Sequence, residues 1–217
     1  MNTRHSARRP LWLAIAAIGI LGSSIALAAG GPPRIGPGTM PLSPTEIADL
    51  KFMREEEKVA RDLYLALDER WGSLPFANIV NSEESHMTAI LQLLRNYRIA
   101  DPVAGNLVGE FSDPELQSLY DSLLQRGEQS ELEALRVGGF VEEADILDLL
   151  TAMEHASRAD IDQTYARLAC GSRNHLRAFA ATATALSGAA YTAQIMDQKA
   201  VDAILTSPQE RCGGPSR

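Results

Sequence analysis

Apolar residues recur every three or four positions in four long stretches of this 217-residue chain, and this spacing predicts amphipathic helices. The first helix opens with a capping box of Ser43 and Glu46, and the third opens with a second one of Ser130 and Glu133. No alternating pattern typical of strands occurs along the sequence. The predicted helices cover residues 43 to about 70, about 76 to 97, about 130 to 155, and about 160 to 187.

The connections between these helices predict two antiparallel pairs. Residues 71–75 and 157–160 are short turns, so each turn joins the two helices of one pair. Between the pairs lies a long connection, 101–113, followed by a short helix that ends near Gly127. Two helical hairpins joined by one crossover are the connectivity of a ferritin-like bundle. The sequence therefore predicts an all-α, ferritin-like four-helix bundle with a short helix in the crossover and another short helix, about 197–205, near the C-terminus.

Acidic and histidine side chains interrupt the apolar stripes of the four helices. Glu83 and His86 are three residues apart and therefore project from the same face of the second helix. Burying such groups is costly unless hydrogen bonds, a counter-charge or a metal ion neutralise them, and only a metal explains both residue types at once. The candidate metal ligands on the four helices are Glu57, Glu83, His86, Glu142, Glu143 and His175.

The two halves of the chain repeat this pattern. Glu56-Glu57 precedes an Asp-Leu pair at the same spacing as Glu142-Glu143, and the residues around His86 align with those around His175. At about 1.5 Å per residue, these groups lie at a similar depth in the bundle. The pattern predicts a dinuclear iron or manganese centre, with zinc as an alternative. Periodicity leaves open which of Glu142 and Glu143 points inward.

Several motifs together resemble one protein family. They are FMREEEKVARDLYLAL, SEESHMTAI, FSDPELQSLYDSLLQRG, VEEADILDL and GSRNHLRAF, and they extend from about residue 42 to 205. The chain is identified by them as similar to the ferritin-like domains called domain of unknown function 2202. This resemblance implies a fold and no reaction.

A narrower resemblance to ferritins and rubrerythrins concerns the metal ligands. It implies Glu57 with Tyr64 as the first-helix ligand and its tyrosine, Glu83 with His86 as the second-helix pair, and Glu142 or Glu143 as the third-helix ligand. The fourth helix departs from the pattern, because Ser172 stands where a second glutamate would match Glu83. The resemblance therefore implies two metal sites of unequal strength, unless Glu56 or the second acid of Glu142-Glu143 compensates for the missing carboxylate.

Three functions are consistent with this pattern. The first is an exported dinuclear metal protein with oxidase or peroxide-consuming activity, for which O2 or peroxide would be the co-substrate. The second is a non-catalytic metal-binding protein of the cell envelope. The third is an interaction module whose buried polar groups form only a structural network.

The N-terminal residues predict export. Three arginines precede an apolar run that begins at Leu11, and Ala26-Leu27-Ala28 offers a cleavage site. We therefore expect a signal peptide at 1–28, a Gly/Pro-rich linker at 29–42, the bundle at 43–187 and a tail at 188–217. The mature protein would be periplasmic or secreted, and it would stay at a membrane only if the apolar run were retained as an anchor.

Charge and cysteine content narrow the choice of partners. Without residues 1–28 the chain has 17 basic and 28 acidic residues, a formal charge of −11. Nucleic acid is therefore not an expected partner, since phosphate binding needs a basic patch. The two cysteines, Cys170 and Cys212, lack the spacing of a zinc site, and in an oxidising compartment they could form one disulfide.

Overall fold

The computed structural model describes residues 41–213, and all of its helices lie in the unit that begins at Leu42. The predicted signal peptide and most of the predicted linker lie outside the described residues. Within 41–213 there is no strand, and no helix is long and apolar enough to cross a membrane. The helices are α1 (Pro44–Trp71), α2 (Leu74–Asn96), α3 (Pro114–Gly127), α4 (Glu131–His155), α5 (Ala159–Ser187) and α6 (Gln198–Thr206).

The helix boundaries follow from local sequence signals. Ser43 accepts a hydrogen bond from the Glu46 backbone, and the Glu46 carboxylate accepts one from the Ser43 backbone at 2.7 Å, so the predicted capping box is present. α1 ends at Gly72, whose φ of 62° is the left-handed conformation that glycine adopts without steric cost. The short turn that follows sends α2 back along α1.

The four long helices form a closed set of neighbours. α1 packs against α2 and α4, and α5 packs against α4 and α2. The shorter α3 lies against α1 and α4, and α6 lies against α5. Each long helix therefore presents one face to a shared interior.

Two apolar layers close this interior at either end of a polar layer. One layer is an aromatic cluster of Tyr64, Phe76 and Phe179, whose ring centroids lie 5.1–5.8 Å apart. The other is formed near the start of α1 and the end of α2, and its buried members include Leu50, Met53, Ile90, Leu94, Leu149 and Ile161. The polar groups between them are therefore shielded from water along the bundle axis.

The C-terminal tail is fastened to α5. Cys170 and Cys212 form a disulfide with their Cα atoms 5.5 Å apart, which settles the pairing that the sequence left open. The carboxylate of Glu210 accepts hydrogen bonds from both Arg173 and Arg177. The segment after α5 thus packs on the bundle as part of the fold.

Candidate metal centre

The polar layer brings together five of the six predicted ligands: Glu57, Glu83, His86, Glu142 and His175. None of the five is more than 9% exposed. They form two overlapping groups, Glu57–Glu83–His86 and Glu83–Glu142–His175, and within each group the potential ligand atoms lie within 4.8 Å of one another. Glu83 is the residue common to both groups.

The two oxygens of Glu83 face different histidines. Oε2 lies 3.0 Å from Nδ1 of His86, and Oε1 lies 2.8 Å from Nδ1 of His175. His86 Nδ1 is also 3.2 Å from Oε2 of Glu57, and His175 Nδ1 is 3.4 Å from Oε2 of Glu142. The imidazole rings stack with their centroids 5.5 Å apart. The arrangement is therefore two similar half-sites that share one carboxylate.

Neighbouring side chains fix the orientation of these groups. The Tyr64 hydroxyl donates to Oε1 of Glu142 at 2.7 Å, and Oγ of Ser82 lies 2.9 Å from Nε2 of His175. If Nε2 of His175 holds its proton toward Ser82, Nδ1 presents a lone pair to the half-site. A Cβ atom at Gly171 would lie 2.6 Å from Nε2 of His86, so only glycine lets α5 approach that ring so closely.

Several atoms of the half-sites have no hydrogen-bond partner. They are Oε1 of Glu57, Oε1 of Glu83 and Nδ1 of His175, and all are inaccessible to solvent. The last two are 2.8 Å apart and pair by charge. Oε1 of Glu57 has no hydrogen-bond partner, and a buried polar atom without one calls for an explanation such as a bound ion.

The charges in the layer shift one another's pKa values. Burial lowers the pKa of His175, but the carboxylates of Glu83 and Glu142 outweigh it and raise the pKa to about 10. Glu57 and Glu83 likewise raise the pKa of His86 well above its usual range, against the effect of burial. Burial would raise the pKa of Glu83, and the two imidazolium rings lower it instead. The carboxylates thus favour the protonated form of both histidines, and an imidazole nitrogen has to lose its proton before it can bind a metal.

Three consecutive acids at the middle of α1 have three different surroundings. Glu55 accepts hydrogen bonds from the backbone N–H groups of Ser112 and Asp113 and so holds the start of α3. The carboxyl groups of Glu56 and Asp148 adjoin each other, and burial raises the pKa of Asp148 to about 6. Two adjoining carboxyl groups can be hydrogen-bonded only while one of them holds a proton. Of the three, only Glu57 faces the histidines.

The choice between Glu142 and Glu143, which periodicity left open, is decided by the chain after α5. The Glu143 carboxylate accepts hydrogen bonds from the Tyr191 hydroxyl at 2.8 Å and from the backbone N–H groups of Gln194, Ile195 and Met196. Glu143 is therefore turned away from both half-sites. It serves to hold the segment between α5 and α6 against α4.

Ser172 and Asp145 form a contact that the sequence did not reveal. Ser172 is fully buried at the position that matches Glu83, and its hydroxyl donates to Oδ2 of Asp145. Oδ1 of Asp145 is buried without a partner. Asp145 follows Glu142 by three residues and thus lies on the same face of α4, which is the one sequence signal that could have identified it. Ser82 had no comparable signal.

Comparison with known proteins shows the family. The family model described as an uncharacterized protein domain, DUF2202, matches residues 46–208. The chain belongs to the DUF2202 family. Uncharacterized protein MJ0754 of Methanocaldococcus jannaschii is 42% identical to this DUF2202 protein over 171 residues, which are 79% of this chain and 92% of MJ0754.

Two solved structures resemble the fold. The crystal structure of hypothetical protein MJ0754 matches with a TM-score of 0.76 and 40% identity, covering 81% of this chain and all of that one. A DUF305 fragment from Deinococcus radiodurans matches with a TM-score of 0.50 and 16% identity, covering 67% of this chain and 99% of that one. The second likeness concerns the fold alone. Neither name states a ligand or a reaction, so an inference about function has to come from the site.

Proposed function

We propose that this DUF2202 protein is an exported, ferritin-like protein that binds a pair of iron or manganese ions in its core. The observation that carries the proposal is Glu83, whose two carboxylate oxygens face two different histidines. A carboxylate shared by two half-sites is how adjacent metal ions are bridged in dinuclear carboxylate centres. Glu57 with His86 would complete one half-site, and Glu142 with His175 would complete the other.

The donor atoms suit such ions. Carboxylate oxygens are hard ligands and imidazole is a borderline one, a combination that iron and manganese bind and that zinc also accepts. Oε1 of Glu57, which is buried without a hydrogen-bond partner, would gain one in the metal ion. The metal would also remove the repulsion among three buried carboxylates, which in the metal-free protein is offset by protons on the histidines.

A bound redox-active pair would supply the electrons needed to reduce oxygen or peroxide. The chain itself would exclude bulk water through the aromatic cluster on one side and the apolar layer around Leu50 and Ile90 on the other. Tyr64 would hold Glu142 through its hydroxyl, and Ser82 would hold His175 in the tautomer that presents Nδ1. These contacts support a rigid site whose ligands need little rearrangement to bind.

Metal analysis combined with activity assays tests the proposal. Protein purified without added metal is analysed for iron, manganese and zinc, and then assayed for ferrous oxidation and peroxide consumption. We expect about two metal ions per chain, and turnover would identify an oxidase or peroxide-consuming enzyme. Metal without turnover would favour the non-catalytic metal-binding alternative. A protein that neither contains nor takes up metal would contradict the proposal in favour of a structural polar network.

Histidine variants test whether the bound metal lies at this site. His86→Ala and His175→Ala should each lose metal. His155→Ala is the control, because His155 is a partly exposed histidine at the end of α4 that pairs with Asp49 at 2.9 Å. Equal metal content in all three variants would show that the metal binds elsewhere.

Export is tested separately. Periplasmic or secreted protein should begin at or near Ala29, as N-terminal sequencing or mass spectrometry would show. An intact N-terminus in the membrane fraction would identify the apolar run as an anchor.

A further inference from the structure

A buried carboxylate outside the five clustered residues lies near the same layer. Asp145 is 5% exposed, and its Oδ1 atom has no hydrogen-bond partner. It lies one helical turn beyond Glu142 on the same face of α4. After burial, the charge of Asp145 is the largest cause that raises the pKa of Glu57, and the charge of Glu142 is the largest that raises the pKa of Asp145, so Asp145 lies near both half-sites.

The small side chain of Ser172 on α5 explains how an acid from α4 can lie beside the ligand layer. The second half of the repeat lacks the carboxylate that would match Glu83, and a serine side chain leaves room at that position. Its hydroxyl lies within hydrogen-bond distance of Oδ2 of Asp145 and of the backbone oxygen of Leu168, and it can donate its one proton to either of them. Asp145 thus contacts the residue that stands where a glutamate would match Glu83, with one oxygen hydrogen-bonded and the other unpaired.

Charge balance in the proposed centre favours a fourth carboxylate. Two divalent ions carry four positive charges, and histidines bind metal in their neutral form. Glu57, Glu83 and Glu142 supply three negative charges, which would leave one uncompensated charge in a buried site. Glu56 is a second buried acid with unpaired oxygens, and its carboxyl group adjoins Asp148. A fourth carboxylate at Asp145 would make the loaded centre neutral.

We propose that Asp145 is a further metal ligand, which replaces the carboxylate missing from α5 and is held for that role by Ser172. The inference rests on the proposed dinuclear centre. It predicts that the second metal ion depends on a residue of α4 that the repeat pattern of the sequence does not indicate.

Anaerobic calorimetric titration of the full-length, metal-free protein with Mn2+ tests this inference. Wild type should bind two equivalents. Asp145→Asn, which keeps the shape but removes the charge, should weaken one equivalent by about tenfold or more, the scale on which changes around a metal site act. Asp148→Asn is the matched control, because it is the same substitution at a buried aspartate one turn further along α4, and it should bind like wild type.

The possible results separate the inference from the proposed function. Two tight equivalents in wild type and in Asp145→Asn would overturn the role of Asp145 and leave the dinuclear centre standing. Equal losses in Asp145→Asn and Asp148→Asn would overturn it as well, since the effect would not be specific. A wild type that binds one ion or none would overturn both proposals.

A second variant covers a failure of Asp145→Asn to fold, as judged by circular dichroism. Ser172→Ala keeps the carboxylate and removes the hydrogen bond that holds it. The weaker equivalent should then lose affinity severalfold, and an unchanged titration would overturn the inference.

Discussion

Glu83→Gln removes the one carboxylate that both half-sites share, while keeping the size of the side chain. Glu83 is 2% exposed and lies within 3.0 Å of Nδ1 of both His86 and His175. An amide carries no charge to balance the imidazolium rings and is a poor metal ligand. The substitution should therefore affect the metal-free and the metal-loaded protein in different ways.

The expected magnitudes differ between the two forms. Removing one partner of a buried ion pair costs about 3–5 kcal/mol, so the metal-free variant should be less stable than wild type. A metal at a hundred times its dissociation constant stabilises wild type by about 2.7 kcal/mol per site. For a domain of this size, each kcal/mol moves the Tm by about 2–4 °C. Wild type should gain about 5–11 °C per bound ion, and Glu83→Gln should gain almost nothing.

Differential scanning calorimetry with and without Mn2+ measures both effects. Glu84→Gln is the control, because Glu84 is the next residue on α2 and its side chain is 58% exposed. Its ion pair with Arg61 lies at the surface, where such pairs contribute about 0–1 kcal/mol. Glu84→Gln should keep the full metal-induced shift. A shift in Glu83→Gln as large as in wild type would refute the shared-carboxylate site.

Three other predictions concern the surroundings of the site. The metal-free protein should lose stability as the pH rises from about 6.5, the ordinary pKa of histidine, to about 10, the pKa of folded His175. The reason is that the folded state binds this proton more tightly than the unfolded state does and loses it over that range. Calorimetry in the presence of a chelator should show this fall in stability, and the metal-loaded protein should not show it. Metal analysis should show that Glu142→Gln loses metal and that Glu143→Gln keeps it. Urea unfolding should show that Glu143→Gln loses about 1–3 kcal/mol of unfolding free energy, because its hydrogen bonds to the segment after α5 are weakened. The reverse pattern would mean that the two residues have been assigned wrongly. Replacing Cys170 and Cys212, which are 42 residues apart, with serine should lower the free energy of unfolding by up to about 4 kcal/mol. It should also speed hydrogen exchange in α6, and an unchanged exchange rate would count against a tail held by the disulfide.

Much of the fold could be predicted because its signals are local. Capping residues, glycines and prolines mark the ends of the helices, and the structure agrees with the predicted ends to within about two residues. Short turns predicted which helices are antiparallel neighbours. Glu57, Glu83, His86 and His175 were recognisable because each interrupts an apolar stripe, and a stripe in a helix depends only on spacing along the chain.

The sequence by itself thus determined the helices, their pairing into hairpins and the presence of acids and histidines at one depth of the core. Only the tertiary structure decided what each buried acid contacts. Glu142 and Glu143 are adjacent and both buried, and they differ because a segment about 50 residues further along the chain supplies N–H groups to Glu143 alone. Asp145 and Ser172 meet across two helices for the same reason. A side chain's partners depend on helices packed in space, and periodicity within one helix carries no information about its neighbours.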